Sequence, residues 1–194
     1  VPERLGPWDR LVTVYLDSNR PAAAISCIEA AKLRFPDFLA FDFIYLRCLD
    51  ALGRSQEGDD LAAELEGKLE DTPDGARHII TLARRYQTSG RRGRALELFK
   101  RAAAVAPDWV DPLVYLARIS TVMGEIDDAE AFWQAVLGMP DGDRFMHEIS
   151  LFRARQAALQ KRYEVAIIEF EQALSVGGED PGILFELFRF VWSH

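Results

Sequence analysis

Apolar and polar positions along this chain repeat on two scales. On the short scale the period is helical. Ile79, Leu82, Ala83 and Tyr86 fall at i, i+3, i+4 and i+7, which places them on one face of a helix. Ser89-Gly90 follows as a turn signal. Ala95, Leu98, Phe99 and Ala102 then form a second face, and Pro107 closes the segment. No stretch alternates apolar and polar residues with β-branched enrichment, so no strands are expected. On the long scale the small residues Ala24, Gly58, Ala95, Ala129 and Ala166 recur 34, 37, 34 and 37 residues apart. Seven residues after each comes Ala31, Leu65, Ala102, Val136 or Ala173. Pro-Asp pairs begin at Pro36, Pro73, Pro107 and Pro140. The double period predicts a stack of helical hairpins, each too small to bury both faces alone.

The segment 76–109 resembles a tetratricopeptide repeat, on Leu82, Ala83, Tyr86, Gly90, Ala95, Phe99, Ala102 and Pro107. Segment 5–38 carries Trp8, Leu11, Tyr15, Ala24, Ala31 and Pro36, and 110–146 carries Leu113, Leu116, Ala117, Gly124, Ala129, Trp133 and Val136. Segment 147–180 keeps Ala154, Ala166, Phe170 and Ala173 but has Lys161 where glycine is usual. Segment 39–75 diverges most. It keeps Tyr45, Leu46, Gly53 and Leu65, has Gly58 for alanine and Asp42 for a large apolar residue, and holds about three extra residues near Asp71-Thr72. Residues 181–194 read as one more first helix, with Leu184, Leu187, Phe188 and Val191. The resemblance implies one all-α domain over 1–194, a right-handed superhelical α-solenoid. It also implies that first helices line a concave groove that holds a peptide or partner helix, with no chemistry of its own.

Composition agrees with a folded, non-catalytic reading. Apolar residues make up 49% of the 194, enough for a core. The net charge of −8 argues against general nucleic-acid binding. No apolar run reaches the roughly 18 residues of a membrane span, and no secretory leader pattern is visible. The first residue is Val1, as expected of a processed or excised chain. Cys27 and Cys48 are read as buried, reduced thiols, which favours a cytoplasmic compartment. No phosphate loop or serine elbow is present, and His78, His147 and His194 lack ligand spacing. They are read as exposed or capping residues, and neither metal nor cofactor is expected.

One column carries the functional expectation. The residue after the small packing position of each first helix is Thr13, Arg47, Arg84, Arg118, Arg155 and Arg189 in turn. The resemblance points this position into the groove. Two readings stand side by side. Asp50, Asp111 and Glu148 could pair with the column as an internal ladder. Alternatively the arginines grip carboxylates of an acidic ligand, with Val114, Tyr115, Leu151 and Phe152 as apolar anchors. The first repeat offers Asp9 and Thr13 rather than Lys and Asn, unlike the family members that clamp chaperone tails. Charge is also segregated: residues 54–74 hold eight acids against two bases, and 77–101 hold eight bases against Glu97. These segments either neutralise each other or form a bipolar surface for a second partner. The terminal helix, with Phe185, Phe188, Phe190 and Trp192, is apolar nearly all round and is expected to self-associate or pack on further chain. The expected function is a protein-interaction scaffold for an acidic segment. The alternative is a non-catalytic, substrate-selecting or regulatory arm of a larger enzyme such as a glycosyltransferase.

Overall fold

A computed structural model describes residues 6–36, 38–177 and 181–193. The side chain of Asp9 and the whole of His194 lie outside the described residues. Among the described residues there are eleven α-helices, one 3-10 turn and no strand. They run α1 Gly6–Asp17, α2 Pro21–Arg34, α3 Leu39–Ala51, α4 Ser55–Gly67, α5 Ala76–Thr88 and α6 Arg92–Val105. Then come α7 Val110–Met123, α8 Ile126–Leu137, the 3-10 turn Gly142–Phe145, α9 Met146–Leu159, α10 Tyr163–Gly177 and α11 Pro181–Ser193. The fold is all-α and of the helical-hairpin type, as the periodicity predicts. None of these helices is long and apolar enough to cross a membrane.

Two compact units divide the chain, Val1–Ala106 and Pro107–His194. In the first, one core gathers Val12, Ala24, Ile28, Ala31, Phe41 and Leu49, while Leu82, Ala83, Ala95 and Phe99 are buried in the following hairpin. In the second, Ala117, Ala129, Trp133, Val136 and Ile149 form one cluster, and Ala154, Phe170, Ala173 and Ile183 another. The small residues of the long period are sealed: Ala24, Ala95, Ala129 and Ala166 are all fully buried. Absence of a longer side chain at these points lets two helix backbones approach closely, and the surrounding apolar residues leave water through that contact.

The turn of each hairpin is built one way five times. Asn19, Gly53, Gly90, Gly124 and Lys161 all have positive φ, between 54° and 81°. The next residue's N–H then reaches back to a carbonyl of the first helix. These bonds are Arg20 to Tyr15 at 2.7 Å, Arg54 to Leu49 at 3.0 Å and Arg91 to Tyr86 at 2.8 Å. Glu125 to Ser120 at 3.0 Å and Arg162 to Ala157 at 2.8 Å complete the set. This is the left-handed helix stop in which a residue without Cβ strain is favoured. The same five residues that donate these bonds accept, through their own carbonyls, from Ala24, Gly58, Ala95, Ala129 and Ala166. One residue therefore ends the first helix and starts the second.

The unequal spacing has a local cause. The connections 35–38 and 106–109 have four residues, whereas 68–75 and 138–145 have eight. The extra residues expected near Asp71-Thr72 fall inside the first long connection. Each long connection contains a glycine with no room for a Cβ, Gly75 against the Glu70 carbonyl and Gly142 against that of Val136.

Two buried-group expectations change. Cys48 is buried but Cys27 is only half-buried, because it lies at the margin of the first core. His78 lies in the first turn of α5, as expected, but is not exposed. It is half-buried, with its ring stacked on Phe43 of α3 at 4.8 Å and 10°.

A left-handed lysine is the weakest version of the recurring stop. Lys161→Gly is expected to raise stability by about 1 kcal/mol, and Gly90→Ala to lower it by about 1 kcal/mol. Urea denaturation of the two variants checks both signs.

Candidate functional site

The arginine column lies on first helices of both units. In the first unit Arg47 on α3 and Arg84 on α5 are exposed. In the second, α7, α9 and α11 carry Arg118, Arg155 and Arg189. Arg118 grips Glu148 of α9 through two bonds of 2.8 and 2.6 Å. Arg155 grips Glu186 of α11 through bonds of 3.0 and 2.7 Å. Successive first helices of this unit are thus stitched by forked, charge-assisted pairs. Hydrogen bonding to Glu148 pushes the Arg118 guanidinium further up, and Arg155 holds the Glu186 carboxyl below the usual carboxylate range. These pairs remain wet: the Arg118 and Arg155 side chains keep 41% and 51% of their exposure. Each contributes no more than about 0–1 kcal/mol to folding, which leaves them exchangeable.

Part of the internal ladder is present, and further pairs lie beside the column. Glu148 pairs with Arg118, as the sequence suggests. Asp50 instead bonds Arg85, one residue beyond the column, and Asp111 pairs with Arg144. The anchors also divide. Val114 and Phe152 are 2% and 5% exposed, because they belong to the cluster around Trp133 and Ile149. Tyr115 and Leu151 stay half-exposed. The Arg118 guanidinium lies 5.9 Å from the centre of the Tyr115 ring. A recess between α7, α8 and α9 brings together Arg118, Arg155, Leu151, Gln156 and an edge of Phe152.

The segregated charges of the first unit resolve into pairing. Arg85 reaches from α5 to Asp50 of α3 and to Asp59 of α4. Arg91 also meets Asp59, Arg94 meets Glu66, and Arg101 meets Asp71. Tyr86 donates to Glu66 at 2.9 Å, and burial together with that carboxylate pushes its hydroxyl up to about 12. The acidic helix α4 is therefore neutralised by the bases that follow it. The divergent residues of repeat 39–75 find their reason here. Asp42 is buried and bonded to Lys32 of α2 at 2.5 Å. A Cβ on Gly58 would stand 2.7 Å from Arg85 Nη2 and 3.2 Å from Asp50 Oδ1. Glycine replaces the usual alanine because a guanidinium occupies the methyl's place. Sequence reasoning missed Arg85; the paired signal was Gly58 in a small-residue column otherwise filled by alanine.

Among the described residues no cluster of three His, Cys, Asp or Glu side chains could hold a metal ion. His147 stands near the start of α9, 4.0 Å from Glu148.

Comparison with known proteins agrees with this geometry. Residues 10–75 match the profile of the tetratricopeptide repeat family. The nearly identical tetratricopeptide-like repeats of a Podosopora anserina protein superpose with a TM-score of 0.69 at 22% identity, over 92% of this chain and 97% of theirs. A tetratricopeptide repeat protein from Parabacteroides merdae gives 0.71 at 14% identity, over 96% of this chain and 72% of that one. Protein O-mannosyl-transferase TMTC1 of Homo sapiens is 25% identical over 142 residues, 72% of this chain but only 16% of that protein. The profile match is confined to residues 10–75, and the solved repeats share the fold of the chain.

The Gly58–Arg85 contact predicts a change of sign. Gly58→Ala alone should destabilise by about 1–2 kcal/mol, since displacing a charge-assisted bond outweighs the gain in helix propensity. In an Arg85→Met background the same change should stabilise by roughly 0.5–1 kcal/mol. A double-mutant cycle in urea measures the difference; equal effects in both backgrounds would refute the contact.

His78 gives a pH dependence. Burial pushes its imidazole below the ordinary 6.5, with Glu70 opposing. Protonation then costs more in the folded than in the unfolded chain. Its share of stability is complete above the ordinary value and is lost as pH falls below it. His78→Phe keeps a ring on Phe43 and should flatten that part of the stability profile between about pH 7 and 5.5.

Proposed function

We propose that this chain is a non-catalytic scaffold whose first-helix arginines, within each unit, hold acidic segments of a partner protein. The observation that carries the reading is the column Arg47, Arg84, Arg118, Arg155 and Arg189 at one repeat-equivalent position in a chain of net charge −8. The general use of the fold as a protein-binding scaffold supports it. An incoming carboxylate replaces Glu148 or Glu186 on a guanidinium that is already oriented and still hydrated, so little ordering is lost on exchange. Tyr115 and Leu151, beside Arg118 and Arg155, meet the ligand's apolar side chains.

A second reading is favoured by the likeness to protein O-mannosyl-transferase TMTC1. In it, the repeats are the non-catalytic, substrate-selecting or regulatory arm of a larger enzyme such as a glycosyltransferase. Detection in native cells of a chain much longer than 194 residues by an antibody to this region supports that reading; a product of this length rejects it.

Peptide selection on the intact chain should enrich Asp- and Glu-rich sequences, and their affinity should fall as salt rises. Arg84→Glu with Arg118→Glu should weaken the selected peptide by about 1.5–3 kcal/mol for each shielded, charge-assisted bond the swap removes. A folded double variant that binds as the parent does leaves the arginines as an internal ladder only.

The apolar face of α11 is the second contact surface of this reading, and a second copy of the chain is its occupant. Leu184, Phe188 and Val191 are exposed, yet the equivalent Ser150, Ala154 and Ala157 of α9 are buried. Phe188 and Trp192 stack at 5.6 Å on that open face. Sedimentation should show concentration-dependent association that Phe188→Asp with Trp192→Asp abolishes. A monomer at all concentrations, unchanged by the two substitutions, would exclude it.

A further inference from the structure

A recess of about 490 Å³ lies between α9, α10 and α11, wholly within the second unit. Arg155, Lys161 and Arg189 line it, with Glu186 as the single carboxylate. Arg155 already holds Glu186 in a fork, and Arg189 acts on the same carboxylate from a greater distance. Lys161 and Arg189 are exposed, and no carboxylate lies within ion-pair distance of either among the described residues. The apolar wall is aromatic. The Phe190 ring stands 5.7 Å from Tyr163 and 5.9 Å from Phe170, and all three line the recess.

Lys161 supplies an independent observation. It occupies the left-handed position, with φ 60°, that Gly53, Gly90 and Gly124 occupy in other hairpins. A lysine there strains the backbone without filling the core, since its side chain is exposed. Strain kept at a residue that lines a cavity points to a ligand contact.

We infer that this recess binds an aryl phosphate monoester, with Lys161 and Arg189 on the phosphate and the Tyr163–Phe170–Phe190 wall against the ring. Three cations against one carboxylate in the described lining leave two positive charges that match a dianion, whereas a carboxylate would answer only half of them. A flat ring fills an aromatic wall that bare phosphate would leave wet. The ligand is either a phosphotyrosine side chain of a partner or a free small aryl phosphate. Arg155 and Arg189 belong to the column on which the scaffold reading rests, but Lys161 and the aromatic wall do not. The Arg84 and Arg118 swap therefore tests the groove, and Lys161 tests the recess.

The test is calorimetric titration of the intact chain with phenyl phosphate, inorganic phosphate and phenol. Phenyl phosphate should bind saturably, about ten-fold or more tighter than either fragment. Lys161→Gly should raise the unfolding temperature yet weaken phenyl phosphate about ten-fold, Arg189→Ala should weaken it similarly, and Lys161→Arg should keep most of the affinity. Binding should decline below about pH 6, where the dianion takes up a proton and becomes a monoanion. Absence of saturable binding, equal affinity for inorganic phosphate, or parental affinity in Lys161→Gly overturns the assignment. A phosphotyrosine peptide that binds tighter than phenyl phosphate, while its unphosphorylated form does not bind, assigns the protein source. A peptide that binds more weakly than phenyl phosphate assigns the free small molecule.

Discussion

The structure depends on how closely two helix backbones can approach at the small-residue column. A methyl group or a hydrogen at residues 24, 58, 95, 129 and 166 sets that distance. The five left-handed stops fix the register at which the two helices meet, since the residue after each stop is bonded to both helices. Burial of Leu82, Phe99, Trp133 and Phe170 follows from that geometry. Core packing here is a consequence of backbone approach rather than its cause, which is why residues as different as Val12, Leu46 and Ala154 are tolerated at equivalent first-helix positions.

Charge is organised by the same scaffold but serves two different ends. In the first unit Arg85 is nearly enclosed, at 9% side-chain exposure, and two aspartates from two helices meet it. Removal of the aspartates there would leave the enclosed guanidinium without its partners. In the second unit the Arg118–Glu148 and Arg155–Glu186 forks keep much of their exposure. Enclosure makes an ion pair structural, and hydration leaves it available. Net charge over the whole chain conceals this difference, because the acids of α4 are consumed by their own neighbours.

The all-helical fold, the hairpin boundaries and the buried small residues were legible in the spacing, because close packing excludes large side chains at fixed intervals. The site was legible only in part. Arg84 and Arg85 are adjacent in sequence, yet about 100° of helical rotation separates them. Spacing alone does not say which one turns toward Asp50. The same ambiguity makes Phe152 and Val114 read as groove residues, whereas the fold places them in the core. His78 illustrates another kind of miss: a ring at the start of a helix finds Phe43 across 35 residues of chain, and no local pattern announces a partner that distant.

The alternation of four- and eight-residue connections makes the natural unit of growth a pair of hairpins. Equivalent positions recur with matching connections only after 71 residues, as Ala24 and Ala95 or Gly53 and Gly124 do. A gene segment encoding one hairpin, copied in tandem, would repeat the same connection twice running and break the alternation. A segment encoding two would preserve it. An array lengthened or shortened in steps of 71 residues keeps every described junction it already has.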